Sequence, residues 1–148
     1  MTSALTHGLV TTDAVTRAFA DEAVLAAMCR FEAALARAEA AAGVIPDTAA
    51  AVISDVALSP LRADVDRLRA SLRANATVSI GVVLALTARV AEKDATAAGY
   101  VHWGATSQDV FDTGIVLCLR DAWPSIATDQ RRLASALDEL TVRHADTV

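Results

Sequence analysis

The chain has 148 residues, 54% of them hydrophobic and only 4% aromatic, with a formal net charge of −5 and a pI near 5.0. That length can bury a real core, and the abundant alanine, the strongest helix former, argues for closely packed helices and against a β-sandwich. Lys93 is the only lysine and no basic block tracks a phosphate backbone, so the composition argues against nucleic-acid binding.

Met1 to Val10 lacks the basic start and long apolar stretch of a signal peptide, and no run in the chain approaches the ~20 apolar residues of a membrane span. A cytoplasmic protein with no membrane partner is expected. The first helix is predicted from Thr12 to Ala42, capped by Thr11 or Thr12 and stopped by Gly43 and Pro46. Val24, Met28, Phe31 and Leu35 form its apolar face, with Arg30, Glu32, Arg37 and Glu39 largely elsewhere. Cys29 and, further on, Cys118 have no metal-like spacing and read as reduced buried thiols.

A short helix follows over Asp47 to Val56. Ser59-Pro60 has the form of a new helix start, and Leu61, Val65, Leu68 and Leu72 form the face of the helix behind it. Asn75 to Thr77 is a break. Val78 to Val90 fits strand and helix alternately; helix is expected, because nothing nearby offers a strand partner. Ala91 to Ala105 reads as a loop containing Gly99 and Gly104, after at most one more helical turn. Thr106 opens a helix to Ala122 whose Ile115–Leu119 stretch is apolar all round and should be buried on several sides. Trp123-Pro124 marks a boundary or kink. The last helix runs from Pro124 to Ala145, with Ile126, Leu133, Leu137, Leu140 and His144 as its stripe.

The chemistry concentrates in His102-Trp103-Gly104-Ala105-Thr106-Ser107-Gln108-Asp109-Val110-Phe111-Asp112-Thr113. A glycine-containing loop here enters a helix. Backbone N–H groups at a helix start are unpaired and carry partial positive charge. Thr106, Ser107 and His102 add donors, and together they can hold a carboxylate. The same residues also fit a capping box, with Thr106 as the cap and Asp109 three positions on. The two roles can coexist. Alone, His102 would be an ordinary loop histidine, Trp103 packing and Asp112 a dipole partner; their co-occurrence at one helix mouth carries the site reading.

The run from His102 to Asp109, with Asp112-Thr113, resembles the first signature region of the fumarase/aspartase superfamily. Trp103 and Gln108 are similar to its cycloisomerase branch more than to its adenylosuccinate lyase branch. A second likeness, Phe31-Glu32-Ala33-Ala34-Leu35-Ala36-Arg37-Ala38-Glu39 running on to Gly43-Val44-Ile45-Pro46, resembles the helix that opens the family's first domain, and it supplies register more than chemistry. The likeness covers nearly the whole chain. Asn75-Ala76-Thr77-Val78 departs from the family's Asn-Pro-Val-like turn.

The resemblance implies an all-α fold. Residues 1–105 form an amino-terminal helical domain, and 106–148 the start of a central helical bundle that assembles as a homotetramer. It implies a substrate site made of His102, Thr106, Ser107, Gln108 and Asp109, with His102, Thr106 and Ser107 holding a substrate carboxylate and Gln108 and Asp109 lining or bracing it. The substrate is a small tricarboxylate, 3-carboxy-cis,cis-muconate, closed to a lactone in aromatic degradation. No metal or organic cofactor is implied. The family's Thr-His-x-Gln-like segment and Gly-Ser-Ser-x-Met-Pro-like loop have no counterpart in these residues, so the catalytic acid is expected beyond Val148, and the 148 residues alone are expected to be inactive. His144 is expected to be structural and not the missing histidine. Two other readings stand: an adenylosuccinate lyase-type C–N lyase, and a non-enzymatic helical assembly module.

Overall fold

The computed structural model describes residues 8–61 and 65–147. A helical turn covers residues 8–10, and seven helices follow among the described residues, with no strand. They are α1 (Asp13–Ala18), α2 (Asp21–Ala41), α3 (Asp47–Leu58), α4 (Val65–Asn75), α5 (Ser79–Lys93), α6 (Ala95–Ala98) and α7 (Ser107–Arg143).

The helix expected over Thr12–Ala42 is two. Thr12 caps α1, its hydroxyl accepting from the Val15 N–H at 3.4 Å. The chain then breaks at Phe19 and at Ala20, which is extended with ψ 153°. Neither glycine nor proline marks this break. It lets α1 lie on α7 while α2 packs against α3 and α7. The end of α2 is as expected. Gly43 takes φ +73°, its N–H donates to the Ala40 carbonyl, and the Val44 N–H donates to the Glu39 carbonyl, both at 2.8 Å. This pair of bonds closes a helix on a left-handed glycine.

The face that α2 buries differs from the one expected. Leu25, Ala27, Met28, Cys29, Glu32, Ala33 and Ala36 are buried, whereas Val24 and Phe31 are only partly so. Small residues let α3 and α7 approach closely, so alanine replaces bulk at the contact. Glu32, expected away from the core, lies inside it, 1% exposed.

Ser59, expected to start a helix, closes α3 instead; its hydroxyl donates to the Asp55 carbonyl at 2.8 Å. Residues 62–64, where that start continues, lie outside the described residues, as do Met1 to His7 of the leader reading. The break at Asn75–Thr77 is present, with Ala76 at φ +56°. The segment that fits both strand and helix is the helix α5, with Val82, Leu86 and Val90 fully buried. The expected loop after it contains α6, capped by Asp94, whose carboxylate accepts from the Thr96 and Ala97 N–H groups at 2.8 and 3.0 Å.

The largest correction concerns Trp123-Pro124. It is no boundary: α7 is one helix of 37 residues with Pro124 inside it. An interior proline removes a hydrogen bond and disfavours the helix. Here Val110, Gly114, Cys118 and Ala122 seat the preceding turns in the interior, while Pro124 faces outward, where water can serve the freed carbonyl. The Ile115–Leu119 stretch is buried on one side only; Cys118 is buried, but Val116 and Leu119 are exposed. From Thr128 onward every described residue of α7 is exposed. His144 ends the helix, exposed, and is not on a buried stripe; its N–H donates to the Leu140 carbonyl at 3.0 Å. Cys29 and Cys118 are free and buried, as expected.

Candidate functional site

The site forms where the loop after α6 meets the start of α7. Thr106 caps α7 in the box that its spacing predicts. Its hydroxyl accepts from the Asp109 N–H at 3.4 Å. Asp109 Oδ2 in turn accepts from the Thr106 N–H at 2.8 Å and from the Thr106 hydroxyl at 2.9 Å. These bonds from the Thr106 backbone and side chain hold the Asp109 carboxyl below the usual carboxylate range. Gln108 is tied within the helix, its Nε2 donating to Asp112 Oδ1 at 2.6 Å. Thr106, Gln108 and Asp109 are thus committed locally. The half-buried Ser107 hydroxyl stands at the same helix mouth with no hydrogen bond among the described residues.

His102 is placed by a turn that only a few residue types accept. Its φ is +60°, and Gly104 follows at φ +70°. A non-glycine residue in this region is uncommon, although histidine is among those enriched there. The turn brings the ring onto α2, where Nδ1 lies 2.7 Å from Glu32 Oε1. The Glu32 side chain is fully buried and the His102 side chain 17% exposed. The second carboxylate of this face is Glu39, two helical turns on. Its Oε1 lies 3.9 Å from where a Cβ on Gly104 would stand, and its Oε2 is buried.

Burial raises the Glu32 carboxyl above the ordinary glutamate value, and the His102 ring beside it pulls the other way. Burial likewise raises Glu39, again opposed by His102. Trp103 is half exposed beside Tyr100, their ring centroids 6.0 Å apart. A cleft of about 710 Å³ opens elsewhere, between the start of α2 and the end of α3, lined largely by apolar groups such as Leu25, Ala57, Pro60 and Leu61. It contains none of the site residues. Among the described residues no three His, Cys, Asp or Glu side chains gather to hold a metal ion.

The structure places His102 on α2, in the loop that leads into the Thr106-capped start of α7. It adds Glu32 and Glu39, which the sequence reading placed outside the site. Their signal was present: positions 25, 28, 32, 36 and 39 of α2 share one face, so both glutamates sit in register with buried residues.

The lyase family profile matches residues 8–148, and the chain belongs to that family, within the fumarase/aspartase superfamily. It is 44% identical to a 3-carboxy-cis,cis-muconate cycloisomerase of Pseudomonas putida, over 99% of this chain and 35% of that protein. It is 45% identical to a nitrosuccinate lyase of Streptomyces davaonensis, over 90% of this chain and 28% of that protein. The crystal structure of the 3-carboxy-cis,cis-muconate lactonizing enzyme of Pseudomonas putida superposes with a TM-score of 0.80 at 42% identity, over 93% of this chain and 31% of that one. The chain spans about a third of the length of the curated relatives it matches.

Proposed function

We propose that these residues supply the carboxylate-binding part of a 3-carboxy-cis,cis-muconate cycloisomerase active site. The observation that carries this reading is His102 held on Glu32 in the loop that leads into the capped start of α7, in a chain whose cycloisomerase relatives are 41–46% identical. In the reaction, a carboxylate oxygen of the substrate bonds to an alkene carbon. The π pair moves onto the neighbouring carbon and into its carboxylate, and a proton then reaches that carbon, leaving 4-carboxymuconolactone. The nucleophile belongs to the substrate. The protein must hold the carboxylate on which charge accumulates and deliver the proton. His102, Ser107 and the free N–H groups of α7 serve the first task. Thr106, Gln108 and Asp109 keep the helix mouth in shape, and the proton donor lies outside this set.

Residues 1–105 act as the amino-terminal helical domain and 106–148 open the central bundle of a homotetramer. The wholly exposed final part of α7, with Leu133, Leu137 and Leu140, supports that assignment. No described helix is long and apolar enough to cross a membrane, and a small-molecule enzyme of the cytoplasm is the setting this reading implies. The protein expressed from its complete gene should convert 3-carboxy-cis,cis-muconate to the lactone, read by loss of the conjugated diene absorbance. No turnover by a folded enzyme would overturn the proposal.

The likeness to the nitrosuccinate lyase favours one second reading, elimination from a dicarboxylate at the same carboxylate-binding mouth. Assay of nitrosuccinate beside the muconate separates the two. Adenylosuccinate lyases match at lower identity, 34% in Pyrococcus abyssi.

A further inference from the structure

Glu32 is an expensive residue for its position. Its side chain is fully buried in the middle of α2, surrounded by core residues, and its Oε2 has no hydrogen-bond partner among the described residues. A buried carboxylate normally needs several donors to offset lost hydration. Glu32 has one short contact, Oε1 to His102 Nδ1 at 2.7 Å. An apolar side chain would fill the same space at lower cost, so packing does not account for a glutamate here. The partner is held with equal insistence. His102 takes a left-handed φ of +60° to reach Glu32, and backbone strain of this kind persists where the surroundings over-determine it.

We propose that Glu32 is a positioning residue for His102: it accepts a hydrogen bond from Nδ1–H, fixes the ring against α2 and leaves Nε2 as the ring nitrogen available to a substrate. A neutral ring fixed with hydrogen on Nδ1 presents a lone pair at Nε2 and cannot donate to a carboxylate. The protonated ring donates from Nε2 and attracts it. Glu32 therefore sets which ring nitrogen faces the substrate. The other groups that act on His102 are Glu39 from α2 and Asp109 from the first turn of α7, while Cys29 faces Glu32 from the core. Among the described residues Glu32 is the one hydrogen-bonded to the ring.

The role of Nε2 rests on the carboxylate-binding reading above; the Glu32–His102 pairing does not, and the test separates them. Nitrogen NMR of the protein without substrate, with the His102 signal assigned from a His102→Gln variant, reads the tautomer. Hydrogen on Nδ1 in the neutral ring is expected. Glu32→Leu, which removes the acceptor, should release the ring so that hydrogen on Nε2 becomes populated, and Glu39→Gln should leave the hydrogen on Nδ1. A neutral ring with hydrogen on Nε2 in the unsubstituted protein would overturn the proposal without recourse to any variant. Hydrogen held wholly on Nδ1 in folded Glu32→Leu, or its release in Glu39→Gln, would also overturn it. If NMR gives the expected result but 3-carboxy-cis,cis-muconate does not protect the His102 signal of the complete enzyme, the substrate reading fails and the pairing stands.

Discussion

Gly114 of α7 crosses Met28 of α2 so closely that a Cβ built on the glycine would stand 3.0 Å from Met28 Cγ and 3.7 Å from Met28 Cα. Both residues are buried, and the crossing fixes the height of α7 on α2. Because α2 carries Glu32 and α7 follows the His102 loop, this contact helps set the distance between the two halves of the site.

Gly114→Leu should therefore lower stability by about 1–3 kcal/mol, the usual cost of overfilling a packed core. Thermal unfolding reads the change. Combining it with Met28→Ala should recover part of the loss, because the pair shares one space. Additive losses in the double variant would count against the crossing as the cause.

Thr106 and Ser107 are adjacent but hydrogen-bonded differently, and substitutions should separate them. Thr106→Ala removes a helix cap and should cost about 1 kcal/mol of stability. Ser107→Ala breaks no hydrogen bond within the fold and should leave the melting temperature nearly unchanged. In the complete enzyme it should lower kcat/KM for the tricarboxylate, since a hydrogen bond to a charged group contributes about 1.5–3 kcal/mol. Full activity in Ser107→Ala would leave this helix mouth a cap and nothing more.

Burial pushes the Cys29 thiol from its ordinary 9.0 up to about 11, with nearby Glu32 adding to the effect and Arg89 opposing it. The folded state thus holds the neutral thiol more firmly than the unfolded chain does. This stabilisation is fully present below pH 9 and is lost as pH rises through about 11. Cys29→Ala should flatten the alkaline limb of the stability profile between those values. The thiolate is the reactive form, so in the unsubstituted protein at pH 8 a thiol reagent should label Cys29 only as fast as the fold opens. Rapid labelling of native protein would show that the site is not sealed.

Leu133, Leu137 and Leu140 lie on the fully exposed final part of α7, between 45% and 60% exposed. Burying each such side chain is worth about 1.5–3 kcal/mol, and exposed apolar stripes mark association sites. The 148-residue protein should self-associate through this segment. Light scattering over a dilution series should show assembly that Leu133→Glu with Leu137→Glu abolishes. A monomer at high concentration, indifferent to those changes, would remove this segment from the interface.

Much of the fold is legible in single residues. Gly43 with Pro46 predicts the end of α2, Asn75–Thr77 predicts a break, and the Thr106 and Asp109 spacing predicts the cap of α7; all three are present. Each depends on backbone chemistry within a few positions, which is why sequence suffices. The helix mouth with His102 is readable for the same reason, because its glycine, histidine and hydroxyl residues are contiguous. The break at Phe19–Ala20 and the continuity of α7 through Pro124 are not readable locally. Alanine-rich turns accept either geometry and proline argues for a boundary, so packing on neighbouring helices decides both. Glu32 shows the limit most clearly. Read in sequence it is a polar residue of an amphipathic helix, 70 positions from His102. Only the folding of the loop onto α2 makes it buried, partnered and costly, because burial and electrostatic pairing are properties of what surrounds a side chain in space.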